Sequence, residues 1–336
     1  MTLPGSSTVI ARRQGRIGRI TLNRPKALNA LDLVMVQAVH QALADWRDDP
    51  AIHAVVIEGA GGRAFCAGGD IRFVRDLSLV GDHAGVEAFF AAEYAMNLAV
   101  ARFPKPYVSL IDGICMGGGI GLSIHGTARV ATEAAVFAMP ETGIGLFPDV
   151  GASYALPRLR PGCGMYMALT GARLGGADAL WAGVATHYVS RETLAELADE
   201  IAEEGVAVLG SATVPTTDAL LPYAAPHLRA FEAGSVAGVI AALADDGSDW
   251  ADEALQTIHA ASPSSVMWSF ELLRRGGGRT LEDCLQAELA LTRHATRHPD
   301  FLEGVRAMVV DKDRAPRWSP SSLAAVDQET VAAMFA

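Results

Sequence analysis

Apolar positions in the first half of the chain follow two different spacings. Continuous apolar runs at residues 54–57, 107–111 and 136–139 are typical of strands that are buried on both faces. Between residues 31 and 46 the apolar positions recur at helical spacing instead, after a strand pattern at residues 19–23. Strands that alternate with helices predict an α/β architecture with short connections.

The pattern changes near residue 190, where the strand signal ends. Residues 191–209 and 281–298 predict helices rich in Ala, Leu and Glu, and residues 214–226 have the composition of a linker. We therefore predict a core over residues 1–190, which carries binding and catalysis, and a helical C-terminal region over residues 191–336.

Composition and charge exclude several classes of partner. Half of the 336 residues are hydrophobic and 19% are charged, which predicts a folded chain with a sizeable core. The net charge of −11 argues against nucleic acid or an anionic membrane surface as the main partner. No apolar run reaches the roughly 18–20 residues of a membrane span. Residues 1–7 lack the apolar centre of a signal peptide, so we expect a cytoplasmic protein.

Metal and disulfide chemistry are not indicated. The four cysteines lie far apart and form no CxxC pair, which favours buried thiols in a reducing compartment. His294 and His298 are spaced for one helix face, but Ala295 stands where an HExxH motif has its glutamate. A solvated helix end is the favoured interpretation, and we expect no metal. The common nucleotide-binding and serine-hydrolase motifs have no full match either.

Two glycine clusters carry the first candidate chemistry. Gly68-Gly69 and Gly117-Gly118-Gly119 each follow a short apolar run. Glycines between a strand and a helix let the backbone approach a ligand closely and present free N–H groups to it. Either cluster alone is more typical of an ordinary tight turn. Two together favour a pair of donors for an oxyanion, a pair in which each donor lowers a barrier by about 2.7–4 kcal/mol.

Two carboxylates follow within a glycine-rich, apolar segment. Glu141 comes after Pro140 at a strand end, and Asp149 lies eight residues later. The alternatives are a solvated loop carboxylate for Glu141 and a helix N-cap for Asp149. Little other charge surrounds the two residues along the chain, so both are also candidates for general acid–base chemistry.

These motifs resemble the enoyl-CoA hydratase/isomerase (crotonase) superfamily. His125-Gly126 and two tail segments resemble its thioester hydrolase branch in particular, and so does the segment with both carboxylates. The similar segments are residues 20–25, 28–31, 64–71, 113–123, 137–151, 301–307 and 311–313.

The resemblance implies a spiral of ββα units, a helical C-terminal region and an acyl-coenzyme A substrate with no separate cofactor. It implies that the backbone N–H groups of Gly69 and Gly118 form the oxyanion hole. It also implies which further residues contact the acyl end of the substrate, the coenzyme A phosphates and the adenine. These are Glu93, Glu141 and Asp149 for the acyl end, Arg63 for the phosphates and the carbonyl of Ala67 for the adenine.

One departure from the family pattern bears on the reaction. Typical hydratases carry a second glutamate where this chain has Gly121, and usually a glycine where it has Asp149. The resemblance therefore favours hydrolysis of a short branched β-hydroxyacyl-CoA. A hydratase or isomerase of the same fold and a non-catalytic acyl-CoA binder are the alternatives. Trimers are common in the superfamily, so a homo-oligomer is possible, although the longer helical tail could cover the surface that a partner subunit would use.

Overall fold

The computed structural model describes residues 8–212 and 218–335. The N-terminal segment, in which we looked for a signal peptide, and residues 214–217 of the predicted linker lie outside these ranges. Within them, ten strands form two sheets. The strands are β1 (Val9–Gln14), β2 (Ile17–Leu22), β3 (Ala54–Gly59), β4 (Ala64–Cys66), β5 (Tyr107–Ile111), β6 (Ile114–Met116), β7 (Ala128–Ala131), β8 (Val136–Ala138), β9 (Leu174–Gly175) and β10 (His187–Tyr188).

The two sheets are built by a repeating path of the chain. The larger sheet has the order β1-β2-β3-β5-β7-β10 and the smaller one the order β4-β6-β8-β9. Successive pairs (β3 and β4, β5 and β6, β7 and β8) each give their first strand to the larger sheet and their second to the smaller sheet. Equivalent strands of successive pairs are parallel neighbours. This path is the spiral of ββα units that the resemblance implies, and the predicted fold is confirmed.

Helices connect the strands and make up the described chain after β10. They are α1 (Leu33–Arg47), α2 (Ile71–Leu79), α3 (His83–Ala101), α4 (Gly118–Ile124), α5 (Ala152–Ala155), α6 (Cys163–Thr170), α7 (Gly176–Ala182), α8 (Arg191–Glu204), α9 (Val208–Ala212), α10 (Ala225–Leu228), α11 (Val236–Asp246), α12 (Asp249–Ala260), α13 (Pro263–Gly276), α14 (Leu281–Ala295), α15 (Pro299–Val305) and α16 (Gln328–Ala333). Among these described helices, none is both long and apolar enough to cross a membrane.

The chain divides into two compact units, each assembled from separate segments. The first comprises the described residues up to Gly69, Ala92–Ala138 and Arg173–Pro222, and the second comprises Asp70–Ala91, Met139–Ala172 and Tyr223 onwards. Both sheets belong to the first unit. The functional division near residue 190 stays a prediction.

The core of the first unit explains its continuous apolar strands. Alternate residues of the larger sheet, such as Val56 and Val108, pack against Leu197 and Ile201 of α8 in one buried cluster. The intervening strand residues, such as Ile57, are also fully buried. Since both faces of the sheet are covered, its strands carry no polar alternation.

The second unit has a separate helical core. Leu169 of α6, Val239 and Leu243 of α11, Ile258 of α12 and Phe270 of α13 share one cluster. Three of these helices, α11 to α13, follow one another along the chain, while α6 comes from before β9. The cluster is assembled from amphipathic helix faces rather than from a sheet.

The structure differs from the prediction for two helices. The helix predicted over residues 191–209 is interrupted at Gly205 and continues as α9. The helix predicted over residues 281–298 stops at Ala295, because Pro299 restricts the residue before it to extended backbone. His298 therefore caps α15 by accepting a hydrogen bond from the N–H of Asp300, and it does not share a helix face with His294.

Asn29 ties together the backbone around the first glycine-rich region. Its side-chain amide donates to the carbonyls of Ala60 and Ala64, at 3.0 and 2.9 Å, and its oxygen accepts from the N–H of Arg24 at 2.9 Å. Asn29 is fully buried and has a positive φ of 56°, which asparagine adopts more readily than most residues.

We expect Asn29→Ala to lower the free energy of unfolding by about 2–4 kcal/mol, because two carbonyls and one N–H lose their partner and the new residue is strained. Urea denaturation would measure the loss. Gln41→Ala removes an exposed side-chain hydrogen bond to Asp45 and serves as the control, with a change within about 0.5 kcal/mol. Equal losses in the two variants would contradict the role given to Asn29.

Candidate active site

The first glycine turn follows β4 in the first unit. Gly68 has a φ of 110°, which side chains with a Cβ rarely adopt, and its carbonyl accepts a hydrogen bond from the N–H of Leu31 at 2.8 Å. The N–H of Ala67 donates to Leu28 at 3.0 Å. The segment 28–31 that the sequence resemblance singled out thus holds this turn in place.

The second glycine turn follows β6 and begins α4. Gly117 occupies the N-cap with φ 48° and ψ −119°, and Gly118 is the first residue of the helix. Backbone N–H groups in a first helical turn have no partner within the helix. Gly119 packs so closely on the backbone of Cys66 that any side chain would overlap its carbonyl.

The two turns and one carboxylate converge at Gly118. A Cβ placed on Gly118 would lie 3.2 Å from the amide nitrogen of Gly69 and would overlap Oε1 of Glu93. Glu93 comes from α3 and is 2% exposed. The structure therefore brings together Gly69, Gly118 and Glu93, three of the residues that the sequence predicts for the site.

Two further predicted residues flank β4 in the same unit. The side chain of Arg63 is exposed, and its carbonyl accepts from the N–H of Ile114 at 3.2 Å. Ala67 is half-buried directly after the strand. Their assignment to the phosphates and the adenine of coenzyme A stays a prediction.

The cysteines do not supply a nucleophile. All four are free and buried, as the sequence predicts. Burial raises the pKa of Cys66, beside the glycine turns, to about 12, and the charge of Glu93 also raises it. Burial likewise raises the pKa of Cys163 to about 11. Thiols with such pKa values stay protonated and unreactive near neutral pH.

Both predicted carboxylates of the second unit are buried. Glu141 opens a 3-10 helix (Glu141–Ile144) and is 6% exposed, and Asp149 is 5% exposed. The alternative of a solvated loop carboxylate for Glu141 is therefore wrong. The N-cap alternative for Asp149 is wrong as well, because Gly151 occupies the N-cap of α5 and no side chain caps that helix.

The segment that carries Glu141 is held by the C-terminal part of the chain. The carbonyl of Thr142 accepts a hydrogen bond from the N–H of Ser262 at 3.0 Å. A Cβ on Gly304 of α15 would overlap the backbone of Ile144. The sequence resemblance gave no role to the tail around Gly304, and the structure shows that it supports this segment.

The described part of the chain contains no group of three or more His, Cys, Asp or Glu side chains that could hold a metal ion. His298 is accounted for by its cap and by an edge-to-face contact with Trp268. Burial lowers the pKa of His298, which favours its neutral form.

Comparison with known proteins gives consistent matches along almost the whole chain. The family model for enoyl-CoA hydratase/isomerase matches residues 17–335. The mitochondrial 3-hydroxyisobutyryl-CoA hydrolase of Xenopus laevis is 45% identical over 96% of this chain and 87% of its own length. The human protein of the same name is 43% identical over 96% of this chain and 86% of its own length.

Two solved structures are similar over their full extent but carry different descriptions. A carnitinyl-CoA dehydratase from Mycobacterium thermoresistibile has a TM-score of 0.94 and 38% identity, covering 98% of this chain and 97% of its own. An enoyl-CoA hydratase from Rhodobacter sphaeroides 2.4.1 has a TM-score of 0.93 and 40% identity, with the same coverage.

The support of the Glu141 segment by α15 can be tested through packing. We expect Gly304→Ala to lower the free energy of unfolding by about 1–3 kcal/mol, because its methyl group meets rigid backbone. Gly143→Ala is the matched control in the same segment, since a Cβ there meets no atom within 4 Å. Urea denaturation would compare the two, and a loss confined to Gly143→Ala would refute this packing.

Proposed function

The chain belongs to the enoyl-CoA hydratase/isomerase family, and we propose that it hydrolyses 3-hydroxyisobutyryl-CoA to 3-hydroxyisobutyrate and coenzyme A, a reaction of valine breakdown. The observation that carries the proposal is the convergence of the Gly69 amide, Gly118 and the Glu93 carboxylate in one place. The names of the curated relatives support the choice of substrate.

In the proposed reaction, backbone donors polarise the thioester. The N–H groups of Gly69 and Gly118 donate to the thioester oxygen and stabilise the negative charge that develops when its carbon is attacked. A side chain at residue 118 would displace the carboxylate of Glu93. Glu93 lies beside Gly118 at the acyl end of the proposed pocket.

Glu141 drives the attack on the thioester carbon by one of two routes. As a nucleophile, its carboxylate displaces the coenzyme A thiolate and forms a mixed anhydride, which water then opens. As a general base, it takes a proton from the attacking water, and the thiolate leaves after the tetrahedral intermediate. Its low exposure shields the carboxylate from bulk water but does not distinguish the two routes.

In this proposal, Asp149 accepts a hydrogen bond from the substrate hydroxyl group. A buried carboxylate that faces a substrate lacking the hydroxyl would lose a hydrogen bond without gaining water, so the site discriminates against such analogues. Arg63 binds the coenzyme A phosphates, and the carbonyl of Ala67 binds the adenine. No cofactor is needed, since coenzyme A is part of the substrate.

A second candidate function is hydration of an enoyl-CoA, which the descriptions of the two similar solved structures favour. Against it stands Gly121, a buried residue of α4 at the place where hydratases carry their second glutamate. The expected cytoplasmic location stays a prediction beside curated relatives whose names carry the word mitochondrial. A homo-oligomer also stays a prediction.

A substrate panel separates the candidates. We expect release of free thiol from 3-hydroxyisobutyryl-CoA, slower release from isobutyryl-CoA by about 10⁴-fold because the hydroxyl is missing, and no hydration of crotonyl-CoA. Thiol detection and the absorbance of the enoyl thioester would measure these rates. Hydration of crotonyl-CoA without thiol release would establish the hydratase. Thermal stabilisation by coenzyme A without any turnover would indicate a non-catalytic binder.

Glu141→Gln tests the central residue. We expect kcat to fall by about 10²–10⁴-fold, because the amide can neither attack the thioester nor take a proton from water. Circular dichroism would confirm folding, and Glu253→Gln, which changes an exposed glutamate, is the control. A folded Glu141→Gln variant with near-normal turnover would overturn the assignment. In the wild type, an acyl adduct on Glu141 in acid-quenched protein would identify the nucleophilic route.

A further inference from the structure

The turn directly after Asp149 has a backbone conformation that its sequence disfavours. Val150 has a φ of 56°, and Gly151 follows with a φ of 82°. A β-branched residue rarely adopts a positive φ, because its Cβ crowds the following carbonyl. Val150 is also buried, at 1% exposure. The surrounding structure must therefore hold the turn in place.

Glu288 of α14 makes the contacts that hold this turn. Its carboxylate is fully buried. Oε2 accepts a hydrogen bond from the N–H of Gly151 at 2.7 Å, while Oε1 accepts from the N–H and the hydroxyl of Ser153, at 3.0 and 2.5 Å. The carbonyl of Asp149 in turn accepts from the N–H of Ala152 at 2.8 Å. Both carboxylate oxygens of Glu288 thus accept hydrogen bonds from two residues of this turn, Gly151 and Ser153.

Three donors point at the two oxygens, a geometry that fits the ionised carboxyl group of Glu288. A glutamine has one acceptor oxygen and would direct its NH₂ group at an N–H donor of the turn. Burial raises the pKa of Glu288 to about 8, although the hydrogen bonds from Ser153 and Gly151 lower it, and the nearby charge of Asp149 raises it further. Burying an ionisable group is costly for stability, and an apolar side chain would fill the same space at less cost.

We propose that Glu288 is a positioning residue, which fixes the turn at Val150-Gly151 and thereby sets the direction of the Asp149 carboxylate. This proposal rests on the proposed function in one respect, that Asp149 binds the substrate hydroxyl. The hydrogen bonds of Glu288 are with the turn.

The test combines substrate discrimination with structure. In Glu288→Gln we expect kcat/KM for 3-hydroxyisobutyryl-CoA to fall at least about 10-fold while that for isobutyryl-CoA changes little, since only the first substrate uses Asp149. Glu288→Asp keeps the carboxylate and should recover part of the discrimination. Ser153→Ala removes one hydrogen-bond donor and should have a smaller effect. Val239→Ala weakens the separate helical core and controls for lost stability.

The outcomes separate this proposal from the proposed function. If Glu288→Gln is folded and keeps the wild-type ratio of kcat/KM between the two substrates, or if Val239→Ala lowers that ratio equally, Glu288 does not position Asp149. If the wild type hydrolyses neither thioester, the proposed function fails, and crystal structures of the wild type and Glu288→Gln decide the question of positioning. A displaced Val150-Gly151 turn and a redirected Asp149 support the proposal, and an unchanged turn overturns it.

Discussion

The packing of Gly118 against the first glycine turn and Glu93 is the contact around which the proposed site in the first unit is arranged. A Cβ at that position would lie 3.2 Å from the amide nitrogen of Gly69 and would displace the carboxylate of Glu93. The spiral produces this approach, because β4 and β6 are parallel neighbours in the smaller sheet and both glycine turns leave from their carboxyl ends. Asn29 and the hydrogen bonds of Leu28 and Leu31 then fix the first turn from the other side. Backbone N–H groups that are fixed in this way do not have to reorient when negative charge develops on a bound oxygen.

In the second unit, the segment with Glu141 and Asp149 has little regular structure of its own and depends on contacts from elsewhere in the chain. Helices from the C-terminal part of the chain supply the missing contacts: the N–H of Ser262 at Thr142, Gly304 against Ile144, and Glu288 at the turn after Asp149. A loop that is supported by rigid helices can keep charged groups buried in one orientation. This gives a physical reason for the long helical tail, which a simple spiral would not need.

Much of the fold could be predicted from the sequence, since its signals are local. Continuous apolar runs identified β5, β8 and most of β3, and the glycine clusters indicated both turns. What could not be predicted depends on residues that are distant along the chain. Glu288 is 137 residues from Gly151 along the chain. Nothing in the sequence distinguishes it from an exposed glutamate on a helix, and only the structure shows that it is buried. The error at the end of α14 has a local cause. The helical composition of residues 281–298 predicts a longer helix, but Pro299 disfavours helical backbone at His298.

Hydrolysis and hydration differ in the number of catalytic carboxylates that each reaction needs. Hydration of a double bond requires one group to take a proton from water and another to deliver a proton to carbon, which a pair of glutamates does in typical hydratases. With Gly121 in α4, the second of these groups is missing. Thioester hydrolysis needs less, because the leaving thiolate is stable and an oxyanion hole with one carboxylate is sufficient. In the proposed function Asp149 serves recognition, and the buried Glu288 holds the turn that follows it.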